Sequence, residues 1–400
     1  MMRPGADRPL GIAPATALDY RELARRRLPR QLFDYVDGGA YEERTMRANT
    51  ADLERLLLRQ VVMRDVSERD PAVEVLGERL ALPVVLAPVG LAGMLARRAE
   101  VQAARAAEAA GVPFVESTVS ICSVEEVARS TSRPPWFQLY VMRDRGYTEQ
   151  LMARAQAAGC PVLVLTVDLA VVGARHRDTR NAVVGEGLPA KARVRRALDL
   201  LSHPRWIRSV AVAGKPLTFG NLEEAVPGAR SPAAFRDWVD GQFDPSVTWE
   251  DIAWVREHWD GRLLVKGVLD PADARRAVEI GVDGVVVSNH GGRQLDSVPS
   301  TVRALPEVVD AVAGRAEVLV DGGVRTGLDV FKMVALGASA VLIGRAWAWA
   351  VAARGEAGVR HVLDVLRADL DVALALTGHT SLAEVDSSAL HKAPAQTRST

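Results

Sequence analysis

Cysteine is almost missing from this chain: only Cys122 and Cys160 occur among 400 residues. Neither belongs to a Cys-x-x-Cys pair or a Cys/His cluster, so no zinc site or disulfide framework is expected. Both are read as small buried apolar residues in a reducing cytosol. No run of 18 or more apolar residues occurs, which excludes a spanning helix. Residues 1–14 carry charges and no apolar core, unlike a signal peptide. A cytoplasmic protein is expected, with contact to the inner face of a membrane still open. An excess of one charge sign is also lacking: 50 Lys and Arg face 50 Asp and Glu. No global field therefore points to nucleic acid. Finally, no Gly-x-Gly-x-x-Gly turn follows the first strand-like run, which speaks against an open dinucleotide-binding sheet.

What is present is a rhythm. Residues 15–65 read as a charged helical extension. From about residue 80, apolar runs end in polar or glycine residues and alternate with Ala- and Arg-rich helical stretches. Eight strands are expected, at 82–88, 113–117, 136–141, 162–168, 263–268, 284–289, 317–321 and 340–344. Helices are expected at 100–110, 124–130, 147–158, 271–280 and 326–336. Gly111, Gly159, Gly281 and Gly337 stand where helix C-terminal glycines belong. Near-continuous apolar strands alternating with helices argue for a parallel sheet buried on both faces. A (β/α)8 TIM barrel over 80–380, within a single domain spanning 1–400, is the economical closure. An insertion at 171–250 follows the fourth strand, and the tail at 386–400 is expected to be disordered. Within the insertion, residues 191–210 are basic and amphipathic. Arginines on one face and Leu198, Leu201, Trp206 and Ile207 on the other suggest a solvated helix over the barrel mouth or a membrane-surface contact.

In such a barrel the chemistry lies at the C-terminal strand ends. The string Ser-Asn-His-Gly-Gly-Arg-Gln-Leu-Asp at 288–296 puts His290 and Arg293 on one tight loop. An imidazole is the natural base near neutral pH, and a guanidinium fork matches a carboxylate. Asp321, Gly322, Gly323 and Arg325, with Gly344 and Arg345, give glycine turns and two cations after the last two strands, a frequent phosphate site. Lys266 inside an apolar strand needs a partner. It reads either as a Schiff-base lysine or as a counter-charge to a reduced cofactor.

Together these residues resemble the FMN-dependent L-2-hydroxy-acid oxidase/dehydrogenase family over about residues 20–385. The nine-residue string at 288–296 is its most specific carrier. Asp37-Gly-Gly-Ala-Tyr, Ala87-Pro-Val-Gly-Leu-Ala-Gly-Met, Trp136-Phe-Gln-Leu-Tyr, Gly173-Ala-Arg-His-Arg-Asp and Phe243-Asp-Pro-Ser are most similar to the respiratory L-lactate dehydrogenase branch. The resemblance implies FMN as cofactor and no metal, a homotetramer, and quinone or another membrane acceptor. It implies His290 as base, supported by Asp168. Arg293, Arg175, Tyr35 and Tyr140 would hold the substrate. Pro88, Val89, Gly90, Ser117, Gln138, Thr166 and Ser288 would contact the ring or ribityl chain, with Lys266 near the flavin N1. Asp321, Gly322, Gly323, Arg325, Gly344 and Arg345 would hold the ribityl and phosphate. Glu116 departs from the family's apolar or small residue, and would either alter the flavin potential or turn away into a salt bridge. Val119 stands where glycolate oxidase has Trp, and Gly90 where oxidases often have Ala; both favour a dehydrogenase. The alternatives are an oxygen-using oxidase, a mandelate-type dehydrogenase, an aldolase using Lys266, and a non-catalytic flavin-binding protein.

Overall fold

The computed structural model describes residues 14–181, 190–223 and 241–391. An antiparallel hairpin, β1 (Val73–Val75) and β2 (Glu78–Leu80), turns at Leu76 and Gly77, both with positive φ. Eight parallel strands follow: β3 (Val84–Leu86), β4 (Val115–Ser117), β5 (Trp136–Leu139), β6 (Val162–Thr166), β7 (Arg262–Val268), β8 (Gly284–Val287), β9 (Glu317–Asp321) and β10 (Ala340–Ile343). Each pairs with its sequence neighbour from β4 to β10, and β10 pairs with β3. The ring is completed by one bridge between Leu86 and Phe114. This is the expected TIM barrel.

Strand alternation sets two cores. Val85, Val115, Trp136, Val164, Leu264, Val286, Leu319 and Leu342 fill the barrel, with Val75 and Leu80 of the hairpin packed on the same cluster. Their neighbours of opposite parity, such as Leu86, Phe137, Leu165, Val285 and Val320, face the surrounding helices. Those helices are α4 (Ala99–Ala110), α5 (Val124–Ala128), α6 (Arg145–Ala157), α9 (Trp249–Glu257), α10 (Pro271–Ile280), α11 (Thr301–Val312), α12 (Gly327–Ala335) and α13 (Arg345–Thr377). Before the barrel come α1 (Ala17–Arg27), α2 (Arg30–Asp37) and α3 (Arg44–Arg55); the insertion holds α7 (His176–Arg180) and α8 (Ala190–Leu201). Side-chain caps from Asp144 and Asp270 and a capping box at Thr326 start three of the barrel helices, satisfying N–H groups that a helix leaves open at its start.

Three expectations change. Trp206 is buried and its indole N–H donates to the Met94 carbonyl, while Ile207 is only partly exposed and packs on the core. These two therefore do not extend the exposed apolar face of the insertion. The end of the chain is packed as far as the structure describes it: Leu390 bridges Leu58 and Ala389 is buried. The remainder of the expected disordered tail, 392–400, lies outside the described residues, as do 182–189 and 224–240 of the insertion. Glu116 shares the parity of Phe137, so it faces the helix layer and not the barrel. It is fully buried, forms no ion pair among the described residues, and burial beside Glu100 holds its carboxyl well above the usual range.

Candidate active site

The floor of the site follows from strand parity. Two residues beyond the apolar filling of each strand, the next inward position holds Ala87, Ser117, Gln138, Thr166, Lys266, Ser288, Asp321 or Gly344. At six of these eight positions the interior thus switches from apolar to polar in one step at the C-terminal rim, the exceptions being Ala87 and Gly344. A cavity opens above it with an empty volume of about 1400 Å³, solvent at its mouth included. Seventeen of the twenty residues expected from sequence line it: Tyr35, Pro88, Val89, Gly90, Ser117, Tyr140, Thr166, Arg175, Lys266, His290, Arg293, Asp321, Gly322, Gly323, Arg325, Gly344 and Arg345. The other three, Asp168, Gln138 and Ser288, stand one hydrogen bond behind it.

On one side of the cavity, His290 Nδ1 lies 2.9 Å from Asp168 Oδ1, which leaves Nε2 as the free ring nitrogen. Burial holds the imidazole below its ordinary value, although the Asp168 carboxylate pulls the other way. Burial works against the ionised form of Asp168 too, but His290 and Lys266 outweigh it and hold the carboxyl low. Gly267 at the β7 bulge makes room for this: a Cβ there would fall 2.6 Å from that of Asp168. Lys266 donates to Ser288 Oγ at 2.9 Å and pairs with Asp321 at 3.1 Å. Burial disfavours its charge, but Asp321 and Asp168 prevail and keep it above its ordinary value. A Schiff-base nucleophile must lose that proton, so the geometry opposes the aldolase alternative.

Four guanidiniums surround the cavity without an acid in ion-pair contact among the described residues. Arg293 donates to the Tyr35 and Gly38 carbonyls, and Arg175 to the Arg293 carbonyl. Arg293 also lies 5.1 Å from the Tyr35 ring centroid. Arg345 donates to the Gly291 and Gly38 carbonyls, and Arg325 stacks 4.8 Å over Trp349. Burial lowers Arg293 to about 9 and Arg325 and Arg345 to about 10. Buried cations left without counter-charge are costly. They form one connected set: Arg293 and Arg345 share the Gly38 carbonyl, and Arg345 also reaches the His290 turn at Gly291.

A family model described as FMN-dependent dehydrogenase matches residues 24–392. The chain belongs to that family. An L-lactate dehydrogenase of Caulobacter vibrioides is 55% identical over 376 residues, 94% of this chain and 97% of that protein. One from Ectopseudomonas mendocina is 51% identical over 378 residues, covering 94% and 99%. Among solved structures, a monotopic membrane protein, (S)-mandelate dehydrogenase, superposes with a TM-score of 0.89 at 38% identity, covering 96% of this chain and all of that one. A mandelate oxidase gives 0.80 at 38%, covering 95% and 98%.

The cofactor of the family is FMN, and the cavity fits it. Gln138 Nε2, Thr166 Oγ1 and Arg345 Nε are buried donors with no partner. Such groups call for a polar ligand. Gly344 is open toward the cavity, the nearest atom to an added Cβ being Ala87 Cβ at 3.9 Å. Gly322 and Gly323 take φ of +99° and +84°, which only glycine adopts at little cost. An added Cβ at Gly90 would meet Val119 Cγ2 at 2.7 Å, so Gly90 and Val119 set the cavity's shape as a pair.

Several residues of the site escaped the sequence reading. Leu91, Leu169, Val172 and Phe219 line the cavity, as does Phe243, which packs edge-on against Tyr140 at 5.2 Å. Phe243 and Leu91 stood in quoted motifs without a role; the others are ordinary apolar residues with no local signal. Gln294 joins the His290 loop to the insertion, donating to the Asp168 and Val171 carbonyls and accepting from Gly173 N–H.

Proposed function

We propose that this chain oxidises an L-2-hydroxy acid, L-lactate foremost, to the 2-oxo acid, with quinone or another membrane acceptor as the final oxidant. One observation carries the reading. The His290–Asp168 pair and the acid-free pair Arg293–Arg175 face one cavity, beside the polar barrel floor. The relatives named L-lactate dehydrogenase supply the first candidate substrate.

Bound FMN supplies the two-electron acceptor. Its ring would lie against Pro88, Val89 and Gly90, meeting the open donors of Gln138 and Thr166. Lys266, held charged, would balance negative charge in the reduced state. Gly322, Gly323, Arg325, Gly344 and Arg345 would take the phosphate end. Arg293 and Arg175 grip the substrate carboxylate, two-pronged where the fork allows. Tyr140, kept protonated by burial and by Asp168, donates a hydrogen bond. The substrate loses two electrons and two protons as its C–O bond becomes a carbonyl. His290 Nε2 takes one proton, the hydroxyl proton if Cα–H leaves as hydride or the Cα proton if a carbanion forms first; the electron pair and the second hydrogen would be taken up by bound FMN. Asp168 stabilises the resulting imidazolium.

A second reading rests on the cavity wall. Leu91, Val119, Leu169, Val172, Phe219 and Phe243 form an apolar side suited to an aryl group, as in the mandelate enzymes that share the fold. Membrane contact belongs to the proposal too. Along α8, Val194, Leu198 and Leu201 are exposed on one face, bordered by Lys191, while Arg193 and Arg196 lie on the other. No helix among the described residues is long and apolar enough to cross a membrane. A homotetramer on the inner face of the membrane completes the picture, and light scattering of the purified enzyme would read its mass.

The test is anaerobic bleaching of the flavin spectrum by L-lactate, D-lactate and (S)-mandelate, followed by air. Bleaching by L-lactate alone, with slow return of colour, is expected. Faster bleaching by mandelate would replace the substrate. Rapid return with peroxide would make the enzyme an oxidase.

A further inference from the structure

His290 adopts φ of +56°, and Gly291 and Gly292 follow at +64° and +72°. Three successive left-handed residues form this turn, and the first carries a side chain. Such a conformation persists only where its surroundings over-determine it. Part of the restraint comes from α3, an element outside the barrel that none of the site motifs includes. Asn49 on α3 and Asn289, the residue before His290, exchange two side-chain amide hydrogen bonds of 2.8 Å each. Both are buried. Asn289 Oδ1 also accepts from Gly292 N–H at 3.1 Å, so the same amide closes the turn around His290. Asn49 Oδ1 additionally accepts from Thr301 N–H at 3.3 Å. The helix backbone presses on the turn from behind: a Cβ on Gly292 would lie 2.5 Å from Met46 N. Asn49 also backs the glycine turn, its Nδ2 being 3.1 Å from where a Gly322 Cβ would stand.

We propose that Asn49 is a positioning residue for the oxidation: through Asn289 it holds the left-handed turn that aims His290 at the substrate. The inference rests on His290 being the base. The physical case is that both ends of the Asn289 amide are committed, Nδ2 to Asn49 and to the Pro299 carbonyl, so the side chain has one orientation. That orientation adds a side-chain acceptor to a turn that the backbone also closes, through Gly292 N–H to Asn289 O at 2.9 Å and His290 N–H to Ser288 Oγ at 3.0 Å. Without Asn49, Asn289 loses a donor and an acceptor, and the strained turn loses its outer anchor.

The experiment uses the FMN-loaded enzyme. Asn49→Ala should keep its flavin and reduce it with L-lactate about a hundredfold more slowly, the scale of a misplacement near 1 Å. The lactate Kd, read from saturation of the reduction rate, should move less than about threefold, because Arg293 and Arg175 remain. Deuterium exchange over residues 288–296 should quicken, with the barrel loops that Asn49 does not touch, such as 140–144, unchanged. Asn289→Ala should give a similar loss, and the double variant should be no worse than the worse single one. Asn49→Asp keeps the size and the acceptor but sets a carboxylate oxygen against Asn289 Oδ1; an intermediate rate is expected, and this variant decides the matter should Asn49→Ala not fold. A wild-type reduction rate in either Asn49 variant, or a double variant whose loss is the product of the singles, overturns the proposal. His290→Ala run alongside separates the two readings. If it reduces its flavin at a near-native rate, the base assignment falls first; if it is slowed about 10²–10⁴-fold while Asn49→Ala is normal, only the positioning role falls.

Discussion

At the scale of single residues, the site is a set of charges prepared in advance. Lys266 is satisfied by Ser288 and Asp321, whereas Arg293, Arg175, Arg325 and Arg345 wait for anions. His290 lies between these groups, and its titration is the accessible readout. Burial lowers its pKa and Asp168 raises it, with the lowering dominant. The base must be unprotonated, so kcat/KM should be full at neutral pH and fall as pH drops through the His290 value. The midpoint of that acid limb is expected below about 6.5, the ordinary imidazole value. Asp168→Asn removes the one carboxylate that raises it, so the limb should move to still lower pH while the plateau rate falls. His290→Ala should cost about 10²–10⁴ in rate. Stopped-flow pH profiles of flavin reduction measure all three; a limb that moves up in Asp168→Asn would contradict the assignment.

The elements show what was legible in the sequence and what was not. Each expected strand exists, because parallel strands buried on both faces are continuous apolar runs, and in six of the eight a polar residue closing the run marks its rim. Parity was harder to see. Ser117 and Glu116 are adjacent, yet one faces the cavity and the other the helix layer, a difference of a single step in register. Helix α11 went unseen because Pro306 lies inside it, and proline normally argues against a helix interior. Helix α13 has a break at Gly355, where φ is +63°. Asn49 gave no local signal, since its partner is 240 residues away. The amphipathic insertion was visible, but its apolar face was drawn too wide: Trp206 is spent on the Met94 loop. The membrane proposal therefore narrows to α8. Leu198→Glu with Leu201→Glu should abolish cosedimentation with anionic vesicles, a loss of roughly a hundredfold or more if each leucine inserts for about 2 kcal/mol. Flavin reduction by lactate in solution should be untouched. Binding of the native enzyme should weaken as salt is raised. Unchanged cosedimentation of the double variant would remove α8 from the contact.

Across the whole molecule, the barrel wall is uneven. From β4 around to β3 the strands share ladders of three to five residue pairs. Between β3 and β4 there is one bridge, Leu86 to Phe114. The two strands that meet there lead directly into Val89–Gly90 and Ser117–Val119, the rim against which the flavin ring is proposed to rest. Stripping FMN should therefore speed deuterium exchange most along 84–91 and 113–119, and restoring it at a hundred times its Kd should return about 2.7 kcal/mol of stability. Uniform exchange around the ring on FMN removal would show that the joint has no special weakness. In mechanical terms this is the lightest joint of a closed ring. A cofactor seated on the rim above it, as proposed, would act as the clasp, and a ring held by its own cargo would grip hardest when it is ready to work.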